Sequence, residues 1–291
     1  MLAIGTDLAL IDADHGCQEG CPTTVGTNGE NLMFTNDTLK GRVALITGGG
    51  SGIGLEIATA YAKLGASLML IGRNEERVQA AAQAITEAGG IAVARKTDVR
   101  NYDEVKATVE ATVEKFGSLD ILVNNAAGNF VCPTAELSPR GWSTVIDIDL
   151  NGTFHGCHAA YPHLRQSKHG GSIISIITML GVTGWPQAAH AAAAKGGILS
   201  LSRTLAVEWG GDGIRVNTIS PGPIGDTEGV QRMYIEGGRG ELEAKKTALG
   251  RFGKKEDIAN AAVYLASSLG SYVTGENLIV DGGRWLKYVA A

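Results

Sequence analysis

The sequence predicts a doubly wound α/β fold, one seven-stranded parallel sheet with helices on both faces. Three observations lead there. Short β-branched apolar runs alternate with longer stretches of helical period, the pattern of a parallel sheet covered on both sides. The first run passes through a glycine-rich turn directly into a helical pattern, as a nucleotide-binding strand, turn and helix require. The chain has 291 residues and is 44% hydrophobic, enough to bury a large core without disulfides or metals.

The seven runs cover residues 42–47, 67–71, 91–96, 121–124, 172–177, 215–219 and 277–280. A sheet of this kind binds its ligand beyond the carboxyl ends of the strands, where the strand order reverses. Residues 38–291 read as a single domain without internal repeats. Residues 1–37 are polar, rich in Gly, Thr, Asn and Asp, and hold no sustained period, which predicts a flexible appended tail.

A formal charge of -5 and a pI near 5.7 exclude a nucleic-acid binder, which needs a clustered basic face to displace counterions from phosphates. A small organic substrate fits better. The four cysteines, Cys17, Cys21, Cys132 and Cys157, lack the spacing of a secreted disulfide framework and point to a reducing cytosol. Cys17 and Cys21 lie near His15, but no second ligand pair follows, so no metal is expected. No apolar run reaches the roughly 18 residues that span a bilayer. The start lacks a basic segment before an apolar stretch, and Val289-Ala290-Ala291 is not a peroxisomal address. A cytoplasmic protein is the resulting expectation.

Strand one ends in Thr47-Gly48-Gly49-Gly50-Ser51-Gly52-Ile53-Gly54, ahead of a helical pattern over residues 55–64. Glycines there admit a tight turn and let backbone N–H groups reach a pyrophosphate. At the end of strand two, where an NAD site places an acid for the ribose hydroxyls, stands Arg73. Its planar cation suits a 2′-phosphate, so NADPH is expected over NADH.

The T-G-x-x-x-G-x-G spacing resembles the short-chain dehydrogenase/reductase variant of the Rossmann fingerprint. By that resemblance Asp98 and Val99 correspond to the adenine side and Asn124 and Ala126 to the ribose side of a cofactor site. Pro221, Gly222 and Ile224 correspond to the nicotinamide loop. Carbonyl reductases of this kind carry Tyr-x-x-x-Lys on one helix, because residues four apart share a face and the lysine lowers the tyrosine's pKa. Here Lys195 is present, but the tyrosine place holds Ala191 and the usual serine place holds Thr178. His190, one position off, projects about 100° away around a helix and cannot simply substitute; a pocket-wall role is expected for it. Asp149 stands where the family has an asparagine that holds a relay water, and a carboxylate can also exchange a proton with that water.

A closer resemblance covers residues 38–286, on Asn124-Asn125-Ala126-Ala127-Gly128-Asn129-Phe130, the acidic segment before Gly152-Thr153-Phe154, His190 with Lys195, and Pro221-Gly222-Pro223-Ile224 before Thr227-Glu228-Gly229. Together these look like the 2,4-dienoyl-CoA reductases, the peroxisomal type nearest. In that family the counterparts of Asp149 and Lys195 are taken as the catalytic pair. The resemblance implies NADPH as cofactor, an acyl-CoA substrate bordered by Asn129, Phe130 and His190, and hydrogen bonds to the developing charge from Asn125 or Thr178. Arg232, Arg239, Lys245 and Lys246 are candidates for the phosphates of the thioester carrier. A homo-oligomer, a tetramer built through helices near residues 142–164 and 186–209, is also implied. Two other readings stay open at this level: a ketone or 3-ketoacyl reductase with an atypical donor, and a non-catalytic NADPH-binding regulator.

Overall fold

The computed structural model describes residues 35–231, 236 and 238–289. The expected tail up to residue 34, with Cys17, Cys21 and His15, lies outside the described residues, as does Arg232.

Each apolar run forms a strand: β1 (Val43–Thr47), β2 (Ser67–Gly72), β3 (Ile91–Lys96), β4 (Ile121–Asn124), β5 (Gly171–Ile176), β6 (Ile214–Pro221) and β7 (Asn277–Val280). All pairings are parallel, in the order β3-β2-β1-β4-β5-β6-β7. The order reverses between β1 and β4, so the carboxyl ends of these two strands, Thr47 and Asn124, flank the expected ligand crevice.

The pleat sends alternate residues to opposite faces. Ala44, Ile46, Leu68, Leu70, Ile121, Val123, Ile174 and Ile176 join Ile57 and Tyr61 of α1 (Gly52–Lys63), Ile85 of α2 (Glu75–Glu87) and Ile258 of α10 (Lys255–Ala266) in one core. Leu45, Met69, Ile71, Leu122 and Ile173 form the other with Val105 and Val109 of α3 (Tyr102–Phe116), Leu164 of α5 (Gly152–Leu164) and Leu205 of α7 (Ala189–Trp209). Strands buried on both faces explain why their sequence is continuously apolar instead of alternating.

Local chemistry sets the helix ends. The Asn74 side chain accepts from Arg77 N–H at the start of α2, and Asn101 accepts from Asp103 and Glu104 N–H at the start of α3. Ser138 caps α4 (Pro139–Ile146), whose first residue is a proline that needs no N–H there. Between α4 and α5 the chain makes a π-helical turn, Asp147–Asn151. The remaining helices, α6 (Leu180–Thr183), α8 (Glu228–Val230), α9 (Gly240–Lys245) and α11 (Arg284–Val289), gather near the carboxyl ends of β5, β6 and β7 in sequence.

Candidate active site

Thr47, at the end of β1, is 3% exposed, and its Oγ1 accepts from Asn125 N–H at 2.9 Å and Ala126 N–H at 2.8 Å. One hydroxyl thus joins the two strands that border the crevice. The glycine turn follows. Gly48 has φ +65, and a Cβ there would lie 2.8 Å from Asn125 Nδ2. A Cβ on Gly54 would lie 2.5 Å from the Gly48 carbonyl oxygen. Only glycine admits this path. Ser51 precedes α1 in extended conformation without a side-chain cap, so the first N–H groups of α1, from Gly52, Ile53 and Gly54, keep no intrahelical partner and face outward at the positive end of the dipole. Uncapped N–H groups on a turn that only glycine can follow fit the pyrophosphate of a nicotinamide dinucleotide.

Arg73 is exposed just past β2. Its charge, behind two hydrogen bonds from Arg100 and after burial has worked the other way, helps hold the Asp98 carboxyl below its usual range; the bond from the Arg100 side chain is the largest cause. Arg100 Nε donates to both Asp98 oxygens at 3.0 Å. Val99 is buried, and its carbonyl pairs with His155 Nδ1 at 2.8 Å. On the far side of the crevice Gly222 N–H donates to the Val280 carbonyl at 2.9 Å, Pro221 closes β6, and the Ile224 side chain is 3% exposed within the core.

Several expected residues take other work. Asn124 is buried, its amide donating at 3.4 Å toward Cys157 Sγ and Ser175 Oγ at the end of β4. Asn125, expected to donate near the reacting atoms, instead donates to the carbonyls of Thr47 at 3.1 Å and Gly48 at 3.3 Å. The reason is simple: a turn without side chains leaves its carbonyls in need of donors, and Asn125 supplies them. It braces the cofactor turn. Thr178 Oγ1 accepts from Leu180 N–H at 3.2 Å just beyond β5.

The acidic and basic members of the predicted pair meet. Lys195 Nζ lies 3.1 Å from Asp149 Oδ2, the two side chains 8% and 1% exposed. Lys195 also donates to the Ile176 carbonyl at 3.1 Å, at the end of β5. Asp149 Oδ1 accepts from Gly128 N–H at 2.7 Å. Asp149 sits in the π-helical turn, where the extra residue rotates the helix face and turns a carboxylate inward that a regular helix would carry elsewhere. The pair is therefore held from the end of β5 and from the segment that carries Asn129 and Phe130.

Ala191, in the tyrosine place, is 3% exposed and packs with Val145, Ala188, Leu180 and Trp185. The space for a phenol is already filled. His190 is fully buried and meets Phe130 edge to face at 4.4 Å between ring centroids. Burial pushes its pKa down, against a smaller upward pull from Asp149. Cys132 N–H donates to the Gln187 carbonyl at 2.9 Å, tying the Phe130 segment to the loop before α7. Gln187 holds φ 65, a left-handed conformation that costs a non-glycine residue energy. Nothing in the sequence signals it.

Of the basic candidates, Lys246 pairs with Glu243 at 2.7 Å, and Glu243 also pairs with Arg284 at 2.7 Å. Among the described residues no helix is long and apolar enough to cross a membrane.

Residues 48–284 match the family model described as enoyl-(acyl carrier protein) reductase. The peroxisomal 2,4-dienoyl-CoA reductase [(3E)-enoyl-CoA-producing] of Arabidopsis thaliana is 46% identical over 264 residues, 87% of each chain. A Bacillus subtilis relative named as a probable 2,4-dienoyl-CoA reductase [(2E)-enoyl-CoA-producing] is 40% identical over 249 residues, 85% of this chain and 98% of its own. A solved structure from Sinorhizobium meliloti 1021, provisionally described as a short-chain alcohol dehydrogenase, superposes with a TM-score of 0.82 at 34% identity, covering 87% of this chain and 99% of its own. With the crevice at the β1/β4 switch, the uncapped glycine turn and these matches together, the chain belongs to the short-chain dehydrogenase/reductase family and, within it, to the 2,4-dienoyl-CoA reductases, oxidoreductases that use a nicotinamide cofactor.

Proposed function

We propose that this chain reduces 2,4-dienoyl-CoA thioesters to 3-enoyl-CoA with NADPH, in the oxidation of unsaturated fatty acids. The observation that carries the reading is the buried pair of Asp149 and Lys195 at 3.1 Å beside an Ala191 packed where a carbonyl reductase needs its phenol. The bound nicotinamide supplies a hydride, which the reading directs to carbon five of the diene. Lys195 holds positive charge next to the crevice, its ammonium positioned by Asp149 and the Ile176 carbonyl. A water held by Asp149 gives a proton to carbon two, and a proton from solvent restores that water. Arg73, exposed at the end of β2 with no acid beside it in sequence, supports NADPH over NADH. Asn129 and Phe130, both exposed on the segment anchored to Asp149, border the acyl chain. Exposed Phe154 on α5 and Val207 on α7, 47% and 85% exposed, support assembly into a homo-oligomer, the tetramer reading being checked by light scattering.

The test is turnover of a 2,4-dienoyl-CoA with NADPH in deuterated water. Deuterium at carbon two of a 3-enoyl product is the expected outcome. Deuterium at carbon four of a 2-enoyl product, the kind named for the Bacillus subtilis relative, overturns the regiochemistry while keeping the reductase. Turnover of ketoacyl-CoA but not dienoyl-CoA overturns the reading itself.

A further inference from the structure

His190 is buried, and among the described residues its Nε2 has no hydrogen-bond partner. Buried polar groups left in that state are rare in folded proteins and call for an explanation. The other ring nitrogen is committed. Ala191 N–H, in the first turn of α7, donates to Nδ1 at 2.7 Å, filling the role that Ala188 at the cap position cannot, since Ala188 has no side-chain acceptor. A ring whose Nδ1 accepts must carry its proton on Nε2 while neutral. A second proton on Nδ1 would set donor against donor, and burial and the positive end of α7 both oppose a charged ring. His190 is thus held as a neutral imidazole with one free N–H.

The proposed reaction has a place for such a group. Hydride arriving at carbon five drives negative charge onto the thioester oxygen, and that oxygen needs a donor. Ala191 offers none, and the Asn125 amide is turned to the glycine turn. The ring of Phe130 meets His190 edge to face and is itself 42% exposed, so it lies between His190 and the outside of the fold. A neutral imidazole at a helix N-terminus is a competent electrophile toward a carbonyl oxygen.

We propose that the Nε2–H of His190, uncovered when the substrate displaces Phe130, donates the hydrogen bond that holds the thioester oxygen as it becomes an enolate oxygen. This rests on the dienoyl-CoA reading above. No proton is transferred from the ring: the oxygen is stabilised by His190 while carbon two receives its proton from the water at Asp149.

The experiment measures the thioester carbonyl stretch of a 2,4-dienoyl-CoA bound with NADP⁺, which lacks a hydride, alongside turnover with NADPH. In the unmodified protein the stretch falls below that of the free thioester in water. His190→Phe keeps the bulk but abolishes the shift and lowers kcat about 10²-fold, with the Kd for NADPH unchanged. His190→Gln, which retains an N–H, recovers part of both. On the unmodified protein, the Nε2–H proton resonance of ¹⁵N-histidine-labelled enzyme moves downfield when the thioester binds. Retention of shift and kcat by His190→Phe overturns the proposal, as does an unmoved resonance. Loss of the shift in Thr178→Val instead gives the role to Thr178 and overturns it too. An unmodified protein that ignores dienoyl-CoA overturns the functional reading and the His190 role together, a pattern distinct from the others.

Discussion

Asp149 serves three neighbours at once: Lys195, the Gly128 N–H and, through its own carbonyl, the Thr153 hydroxyl at 2.7 Å. Replacing it with Asn keeps an acceptor for Gly128 but turns an N–H toward the Lys195 ammonium. Asp149→Asn is therefore expected to lower dienoyl-CoA turnover about 10²- to 10⁴-fold. It should also cost about 3 kcal/mol of stability, because a buried charge loses its partner. Steady-state rates and denaturant unfolding measure the two effects; near-normal turnover by the folded variant removes Asp149 from the chemistry. Arg73 stands exposed just past β2. Arg73→Asp withdraws the cation from a 2′-phosphate and offers ribose hydroxyls an acceptor, so the Michaelis constant should rise for NADPH and fall for NADH. An unchanged constant for NADPH refutes the cofactor preference. The sequence singled out both residues, Arg73 by its place after β2 and Asp149 through the family resemblance. The work of Asn125 was not legible there, because its partners are carbonyls of a turn 77 and 78 residues away in sequence.

At the scale of elements, one ionic cluster joins the C-terminal helix α11 to α9. Arg284 donates to Glu243 at 2.7 Å and lies 5.8 Å over the Trp185 ring, while Lys246 reaches the same carboxylate. Burial pushes the Glu243 carboxyl up, but the hydrogen bonds and charges of Lys246 and Arg284 outweigh it and hold its pKa below 4.5. A depressed carboxylate contributes stability that is complete above its unfolded pKa of 4.5 and is lost as pH falls through the lower folded value. The melting-temperature gap between the unmodified protein and Glu243→Gln should accordingly be constant above about pH 5.5 and shrink on acidification below 4.5. A gap that widens in acid reverses the sign and sinks the argument. Because Trp185 packs against Ala191 beside the crevice, the variant should raise the Michaelis constant for the thioester more than it lowers kcat. None of this was readable beforehand: Glu243 and Arg284 are 41 residues apart and neither belongs to a motif.

For the molecule as a whole, the described core closes from Leu39 onward, a residue with no exposure whose N–H donates to the Leu64 carbonyl at 2.8 Å. Deleting residues 1–32 should leave the melting temperature and dienoyl-CoA turnover unchanged, since that segment has no periodic apolar positions with which to join a core. A large drop in melting temperature contradicts this. The sequence by itself determined the strands, their parallel arrangement and the glycine turn, while the contact between Asp149 and Lys195 came from the fold. Those features rest on local period and fixed spacing, and a strand buried on both faces or a turn open only to glycine leaves a mark in the residues that build it. Tertiary structure alone decided the π-helical turn that carries Asp149, the filled space around Ala191, the protein partners of the Asn124 and Asn125 amides and the free N–H of His190. Each is settled by what the neighbours need, a donor for an orphaned carbonyl or volume beside a methyl group, and such needs arise only once distant segments are packed together.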